Sequence, residues 1–221
     1  MIKTPNTTIF TVVDTVLFTI IEDTLKVLCV TRQRDPFDGQ KTLPGTYIRN
    51  QESSKVAALR ALREKAGVDD IYIEQLYTFD DIGRDPRGQY LSVAYLSLAN
   101  SKILALNISE VTQNPEFVDV DTALGFDHNN IVKYAISRLR SKLEYTNVAQ
   151  HLLPNIFTLS ELQNVYEVVL GQVLDKRNFR KKILSLGIIK TTGDTLSGLR
   201  QRPALLYKFK TQDLVELQRW F

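Results

Sequence analysis

Residues 157–187, FTLSELQNVYEVVLGQVLDKRNFRKKILSLG, contain the pattern of two short helices joined by a tight turn. Thr158 is followed three residues later by Glu161, the capping-box spacing in which a hydroxyl and a carboxylate satisfy free backbone donors at a helix start. Apolar residues then recur at helical spacing as far as Gly171, which favours a helix end. Asp175 is a suitable start for a second helix. The stretch therefore predicts a helix-turn-helix.

The second predicted helix carries most of its positive charge near its beginning. Its buried side is predicted to consist of Phe179, Ile183, Leu184 and Leu186. In a helix-turn-helix the second helix enters the major groove, and its first residues meet the base edges. Arginine and asparagine can donate forked hydrogen bonds to bases, whereas lysine can hold phosphates. The candidate DNA contacts on this helix are Lys176, Arg177, Asn178, Arg180 and Lys181.

The segment after Gly187 predicts a β-hairpin. It contains two strand-like runs, IIK and LLYKF, around a glycine-containing turn that carries Arg200 and Arg202. A basic hairpin that follows a helix-turn-helix is typical of the wing of a winged helix. We therefore add Arg200 and Arg202 to the candidate DNA contacts, and Thr158 at the start of the first helix is a further candidate. The alternative is a small helical bundle with a solvated basic face, because a run of charge often marks a solvated surface.

Length and charge favour two domains and an anionic partner. The chain has 221 residues, 43% of them hydrophobic, and a formal net charge of only +3. Residues 157–210 nevertheless hold ten basic and four acidic residues, so the positive charge is concentrated towards the C-terminus. Phosphate contacts release counterions and would favour binding of such a region to nucleic acid.

The single cysteine, Cys29, lies in the apolar run VLCV and predicts a buried thiol without a disulfide partner. No apolar run approaches the length of a membrane span, and no signal-type segment is recognisable at the beginning. We expect a cytoplasmic protein that does not associate with membranes.

The first half of the chain predicts a sheet and one helix. Residues 9–21 and 25–31 are rich in β-branched and apolar residues and predict a hairpin across residues 22–24. A loop containing the sequence LPG follows, and residues 52–66 then predict a helix that ends at Gly67. Val56, Leu59 and Leu62 mark its predicted inner face.

This helix and the loop before it resemble the Nudix box. With Gly67 on the last glycine of that motif, Glu52, Arg60 and Glu64 fall on its glutamate, arginine and first paired glutamate. Three positions depart from the motif, because Thr46 replaces the first glycine, Ala61 a glutamate and Lys65 the second paired glutamate.

The departures bear on what the resemblance implies about activity. Nudix hydrolases use helix carboxylates to hold divalent cations that polarise phosphorus and prepare water. Ala61 and Lys65 remove two of these carboxylates. We therefore expect no catalytic residues, no bound metal, no cofactor and no enzymatic activity. An ammonium group at position 65 favours a bound phosphate, which would make the pocket a sensor.

Residues 71–100 predict two strands around the turn at residues 83–88. The segments YIEQLYTF, RDPRG and SVAY are similar to the NrtR-type family of Nudix-related transcriptional regulators, and LDKRNFRKKIL near the C-terminus resembles it more specifically. Arg84 and Arg87 either face a ligand as forked diphosphate partners or are solvated turn residues. Together with the Nudix-box positions, the candidate effector contacts are Arg32, Arg34, Glu52, Arg60, Glu64, Lys65, Phe79, Arg84 and Arg87.

Asp127 is predicted to cap a helix that runs to Tyr145 with one apolar stripe. We expect His128 beside this cap to be solvated or to cap the helix, and His151 to be structural. The predicted fold is α+β, with an N-terminal Nudix-like α/β/α sandwich built on a mixed sheet and a C-terminal winged helix-turn-helix domain. The predicted boundaries are residues 1–125 for effector binding and dimerisation, 126–146 for a linker helix and 147–221 for DNA binding.

The resemblance implies a homodimeric transcriptional repressor that binds a palindromic operator in double-stranded DNA. It also implies a small-molecule effector such as ADP-ribose and control of NAD metabolism genes. Alternatives are a sugar-responsive regulator of the same fold, an active Nudix ADP-ribose pyrophosphohydrolase, and a DNA-binding protein whose Nudix domain serves only for dimerisation.

Overall fold

The computed structural model describes residues 8–101, 114–196 and 203–217, and its first part is a mixed β-sheet of seven strands. The central strand β1 (Phe10–Ile21) is antiparallel to β2 (Thr24–Thr31) and β4 (Gly45–Tyr47) and parallel to β6 (Tyr90–Leu98). β2 also pairs with β3 (Lys41–Thr42) and β7 (Glu116–Asp119), and β5 (Tyr72–Phe79) pairs with β6.

Helices cover both faces of this sheet. Along β1, Val13 and Leu17 contact the cluster that includes helix α1 (Ser54–Ala66), while Val16 and Phe18 contact helix α2 (His128–Tyr145). This alternation explains why the strand is apolar on both sides. The predicted α/β/α sandwich with a mixed sheet is confirmed.

Helix α1 ends at Gly67, which has a φ of 65° in the left-handed region, as its position after the apolar pattern predicts. The predicted inner face is partly wrong, because Val56 is 53% exposed. Ala57, Ala58 and Ala61 are fully buried instead. Small side chains allow the helix backbone to approach the sheet closely, so alanines rather than the large Val56 line the contact.

Helix α2 has the predicted stripe, with Ile131, Val132, Ala135 and Leu139 fully buried. Cys29 is also fully buried beneath the helices, and burial raises the pKa of its thiol to about 12. None of the described helices is long and apolar enough to cross a bilayer.

The second part of the chain begins with a 3-10 helix (Val148–Leu152) and a short strand β8 (Phe157–Thr158). Helix α3 (Leu159–Leu170) and helix α4 (Lys176–Ser185) follow, and then the hairpin of β9 (Ile189–Leu196) and β10 (Ala204–Phe209). β8, β10 and β9 form a three-stranded sheet in that order. The predicted helix-turn-helix and wing are both present.

The helix boundaries of this region match the sequence signals closely. Thr158 and Glu161 form the predicted capping box, Gly171 ends α3 with a φ of 71°, and the Asp175 carboxylate accepts from the Asn178 backbone N–H at 2.8 Å. The prediction that Leu184 is buried is wrong, because this side chain is 47% exposed.

The two parts pack together through one continuous apolar cluster that includes residues of β1, α2, α3 and α4. Arg140 of α2 donates to the Val169 carbonyl at the end of α3 at 2.8 Å, and Asn164 of α3 donates to Asp23 in the β1–β2 turn at 2.7 Å. Helix α2 is therefore held by both parts of the chain.

Candidate effector pocket and nucleic-acid interface

A cavity of about 370 Å³ opens at one end of the sheet, between the helix α1 and the start of α2. It is strongly basic, since five Arg or Lys side chains and two Asp side chains line it. The basic residues are Arg32, Arg34, Lys65, Arg84 and Arg87, and the acidic residues are Asp14 and Asp85. These five basic residues were all predicted to contact the effector.

Arg84 lies between two carboxylates at the bottom of this cavity. Its Nε and Nη2 donate to both oxygens of Asp127 at 2.9 and 2.8 Å, and its Nη2 is 3.4 Å from Asp14 Oδ2. Asp14 also accepts from the Ser92 hydroxyl at 2.6 Å. Because Arg84 is only 9% exposed, the interpretation of this side chain as a solvated turn residue is wrong.

The position of Asp14 explains the glycine of the LPG loop. A Cβ atom on Gly45 would lie 2.3 Å from Asp14 Oδ1 and 2.7 Å from the Val13 carbonyl oxygen. Any side chain at this position would displace β4 from β1 and open the pocket wall.

His128 is neither solvated nor a helix cap, contrary to expectation. It is 5% exposed, its Nδ1 accepts from the Leu43 backbone N–H at 2.9 Å, and its Nε2 is 3.6 Å from Asp14 Oδ1. Burial lowers the pKa of His128, and Asp14 opposes this effect. A neutral ring with its proton on Nε2 satisfies both contacts.

Aromatic rings hold two further arginines in the cavity wall. The Arg87 guanidinium donates to both oxygens of Asp85 and lies 4.6 Å from the centre of the Tyr90 ring. The Arg32 guanidinium lies 4.9 Å from the centre of the Phe126 ring. The Nε and Nη2 groups of Arg87 are engaged with Asp85, and those of Arg32 with the Pro36 and Asp35 carbonyls, so an anion would meet the Nη1 side of each guanidinium.

Lys65 projects into the same cavity from the last turn of α1. Burial lowers the pKa of its ammonium group, nearby Arg34 and Arg32 lower it further, and Asp14 opposes them. Within the described ranges no carboxylate lies at ion-pair distance from Lys65. An anionic ligand would therefore relieve the repulsion among these cations.

The other four predicted effector contacts lie outside the pocket lining. Arg60 is bound to both oxygens of Glu52 at 2.8 and 2.9 Å, to the Tyr47 carbonyl at 2.9 Å and to Glu64 at 3.3 Å. Hydrogen bonds from Arg60 lower the pKa of Glu52 to about 2. This network ties α1 to β4, so the structure gives it a structural role.

Phe79 also lies away from the cavity, where its ring packs at 5.9 Å from the Tyr134 ring of α2. Sequence reasoning missed Asp14, Asp85, Tyr47, Phe126 and His128 as lining residues. Asp14 carried a usable signal, because it is a charged residue inside the apolar run of β1.

The candidate DNA-binding face is the outer surface of α4. Phe179 and Ile183 point into the core, and Arg177 and Lys181 lie on the opposite side of the helix, one turn apart. The candidate contacts on α4, all exposed, are Lys176, Arg177, Asn178, Arg180 and Lys181. The exposed Leu184 continues the outer face, which explains why it is not in the core.

Thr158 does not fit its predicted role as a DNA contact. The residue is 7% exposed, and its hydroxyl accepts from the Glu161 backbone N–H and lies 3.0 Å from the Glu161 carboxylate. Its function is to cap α3. Arg200 and Arg202 lie outside the described residues.

Two family models match the chain in the order of its two domains. The NUDIX domain model matches residues 11–139, and the NrtR DNA-binding winged helix domain model matches residues 149–209. An ADPR-responsive transcriptional repressor of Acinetobacter baylyi is 35% identical over 208 residues, which cover 91% of this chain and 82% of the relative.

Solved structures show the same arrangement. NrtR of Shewanella oneidensis in complex with a 27mer DNA is 36% identical, with a TM-score of 0.81 over 90% of this chain and 93% of that chain. The NUDIX domain of the same protein in complex with ADP ribose is 36% identical, with a TM-score of 0.53 over 60% of this chain and 89% of that chain. The chain therefore belongs to the NrtR-type family of Nudix-related transcriptional regulators.

Proposed function

We propose that this protein is a transcriptional repressor that senses ADP-ribose in the basic cavity and binds operator DNA through α4 and the wing. The observation that carries the proposal is the convergence of five basic side chains on one cavity in a chain that also has an exposed basic recognition helix. Relatives with the same two domains are an ADPR-responsive repressor and a protein crystallised with DNA and with ADP ribose.

The chemistry of the cavity suits a nucleoside diphosphate sugar. Arginine forks pair with phosphate oxygens in two-point contacts, and the Lys65 ammonium group adds a point charge between them. Tyr47, an aromatic residue of the cavity lining whose side chain is 40% exposed, offers a ring to a base. A volume of about 370 Å³ is within the range of small-molecule sites.

The same residues argue against hydrolysis. Ala61 is fully buried against the sheet and offers no metal ligand, and Lys65 places positive charge where the Nudix box has a carboxylate. Glu52 and Glu64 are both paired with Arg60. We infer that the pocket binds its ligand without cleaving it.

We further propose a homodimer that binds a palindromic operator of NAD metabolism genes in the cytoplasm. A single helix-turn-helix contacts few base pairs, and a twofold dimer doubles the site. The direction in which the effector shifts DNA affinity is an outcome of the experiment below.

The test is fluorescence anisotropy of the full chain on DNA from upstream of its own operon, against scrambled DNA at one fixed salt concentration. ADP-ribose is added at increasing concentration, with ADP and ribose 5-phosphate as controls, and AMP release with magnesium is followed by chromatography. Specific binding that ADP-ribose alone shifts, without AMP release, supports the proposal.

Specific binding without a shift would keep the regulator but move the search for its effector to sugars. Absence of any preference over scrambled DNA, together with magnesium-dependent AMP release, would favour a pyrophosphohydrolase instead. Specific binding that no nucleotide or sugar changes would leave the Nudix domain as a dimerisation module.

A further inference from the structure

Helix α2 connects the effector cavity to the DNA-binding domain. Its 18 residues span about 27 Å, from His128 in the cavity lining to Tyr145 beside the 3-10 helix. Near its far end, Arg140 donates to the Val169 carbonyl of α3 at 2.8 Å. Lys142 donates to Glu74 of β5 at 2.6 Å. A displacement of the amino end of this helix would therefore be transmitted along the helix to α3 of the helix-turn-helix.

The amino end is tied to the cavity through Arg84. Asp127 is the N-cap residue, yet its carboxylate makes no capping hydrogen bond to its own helix. Both carboxylate oxygens accept instead from the Arg84 guanidinium. Arg84 lines the cavity, so one side chain contacts both the ligand space and the linker helix.

The Asp127 carboxylate also has a second partner within reach if Arg84 leaves. Aspartate is among the preferred N-cap residues, because its oxygens accept from the free N–H groups of the first helical turn. The helix dipole stabilises negative charge at the same end. Loss of the Arg84 contact would therefore leave the Asp127 carboxylate free to cap its own helix.

We propose that the Arg84–Asp127 pair is a latch that the effector opens. The diphosphate of the bound ligand takes the forked donors of Arg84, Asp127 turns to cap α2, and the released helix start shifts the winged helix relative to the Nudix domain. The Asp127 carboxylate occupies the Nε–Nη2 edge of the Arg84 guanidinium, so a diphosphate that takes this edge competes with Asp127. The inference rests on the proposed function and names its regulatory contact.

The test uses Asp127→Asn and Asp127→Ser in the full chain. Both lack the anion that competes for Arg84, and serine keeps good N-cap chemistry. Calorimetry measures ADP-ribose affinity without DNA, and anisotropy measures operator affinity with and without saturating ADP-ribose. We expect about tenfold tighter ADP-ribose binding, because a competitor is removed. Without ligand, both variants should bind operator DNA with nearly the affinity of the ligand-saturated wild type. Addition of ADP-ribose should then change their operator affinity only slightly.

Asp85→Asn is the matched control. Asp85 binds Arg87 through the same two-point contact at the same cavity, but it is in the turn after β5, and among the described residues its side-chain hydrogen bonds go to Arg87 and not to α2. This variant should bind ADP-ribose with a changed affinity. Saturating ADP-ribose should still shift its operator affinity as much as in the wild type. Both outcomes together would show that the Asp127 effect comes from the helix and not from altered cavity charge.

Variants at Asp127 that keep the wild-type response, or that bind ADP-ribose more weakly, would overturn the latch. A wild type that does not bind ADP-ribose at all would overturn the proposed function, and the latch with it. Amide hydrogen exchange of the wild type needs no substitution: we expect residues 128–131 to change their exchange rates on addition of ADP-ribose. Identical rates would also overturn the latch.

Discussion

At the scale of single residues, Lys65 changes the chemistry available to the Nudix helix. It occupies a position where the motif has a carboxylate, and it is held among Arg32, Arg34 and Asp14 in the basic cavity. Burial disfavours its charged form, and the neighbouring cations add to that cost. A bound diphosphate would supply the missing negative charge.

Replacement of Lys65 by glutamate tests whether this residue alone blocks hydrolysis. We expect Lys65→Glu to weaken ADP-ribose binding by about tenfold or more, since it removes a charge-assisted contact and adds repulsion near Asp14. We expect no magnesium-dependent turnover, because Ala61 still supplies no carboxylate. Calorimetry measures binding, and chromatography measures AMP.

Lys65→Met is the matched control, because it removes the charge and keeps most of the volume. Its loss of ADP-ribose affinity should be smaller than that of Lys65→Glu. Measurable magnesium-dependent AMP release by the glutamate variant would contradict the argument that two carboxylates are missing.

At the scale of elements, helix α4 has one buried side and one exposed side. Phe179 and Ile183 anchor one side, and the side chains of Arg177 and Lys181 occupy the centre of the other. Lys182 lies next to Ile183, at the flank of the helix. A helix docked by its outer side in a major groove would present Arg177 to base edges and Lys182 to the backbone or solvent.

We predict that Arg177→Ala weakens operator binding more than Lys182→Ala. An arginine paired with a base contributes about 1–3 kcal/mol of discrimination, whereas a phosphate contact is lost equally on every sequence. Anisotropy on operator and scrambled DNA at one salt concentration separates the two effects. Equal losses on both DNAs for both variants would remove Arg177 from the base contacts.

At the scale of the whole molecule, the two domains share buried polar groups as well as apolar ones. His151 of the 3-10 helix stacks on Tyr72 of β5, with ring centres 4.2 Å apart. Tyr72 donates to Glu74, which also binds Lys142 of α2. Burial is the main cause that lowers the pKa of His151 to about 4; the nearby Glu74 opposes this shift and Lys142 adds to it.

This histidine makes stability depend on pH. Its unfolded pKa is about 6.5, so the folded protein loses stability as the pH falls from about 6.5 towards 4, while the unfolded chain binds the proton first. We predict that His151→Phe, which keeps the stacking, reduces this pH-dependent loss of stability by about 1–2 kcal/mol, less than the full pKa shift implies because His151 is partly exposed. Urea unfolding of the wild type and the variant at pH 7.5, 6 and 4.5 measures their free energies of unfolding. The same decrease with falling pH in both proteins would contradict the prediction.

The sequence by itself determined the local elements of this protein. Capping boxes, glycine helix ends and apolar periodicity depend on neighbouring residues, so Thr158, Gly171, Asp175 and Gly67 mark the helix boundaries correctly. The basic residues of the cavity were also identified, because their positions follow from the resemblance of the loops and helix to a known motif.

Only the tertiary structure decided how those elements use their side chains. Val56 and Leu184 have the spacing of core residues but face outward, because the orientation of a helix depends on what packs against it. Asp127 starts its helix as predicted, yet its carboxylate binds Arg84, 43 residues earlier in the chain. Such contacts join distant segments, and local sequence patterns carry no information about which distant partner a buried charge will find.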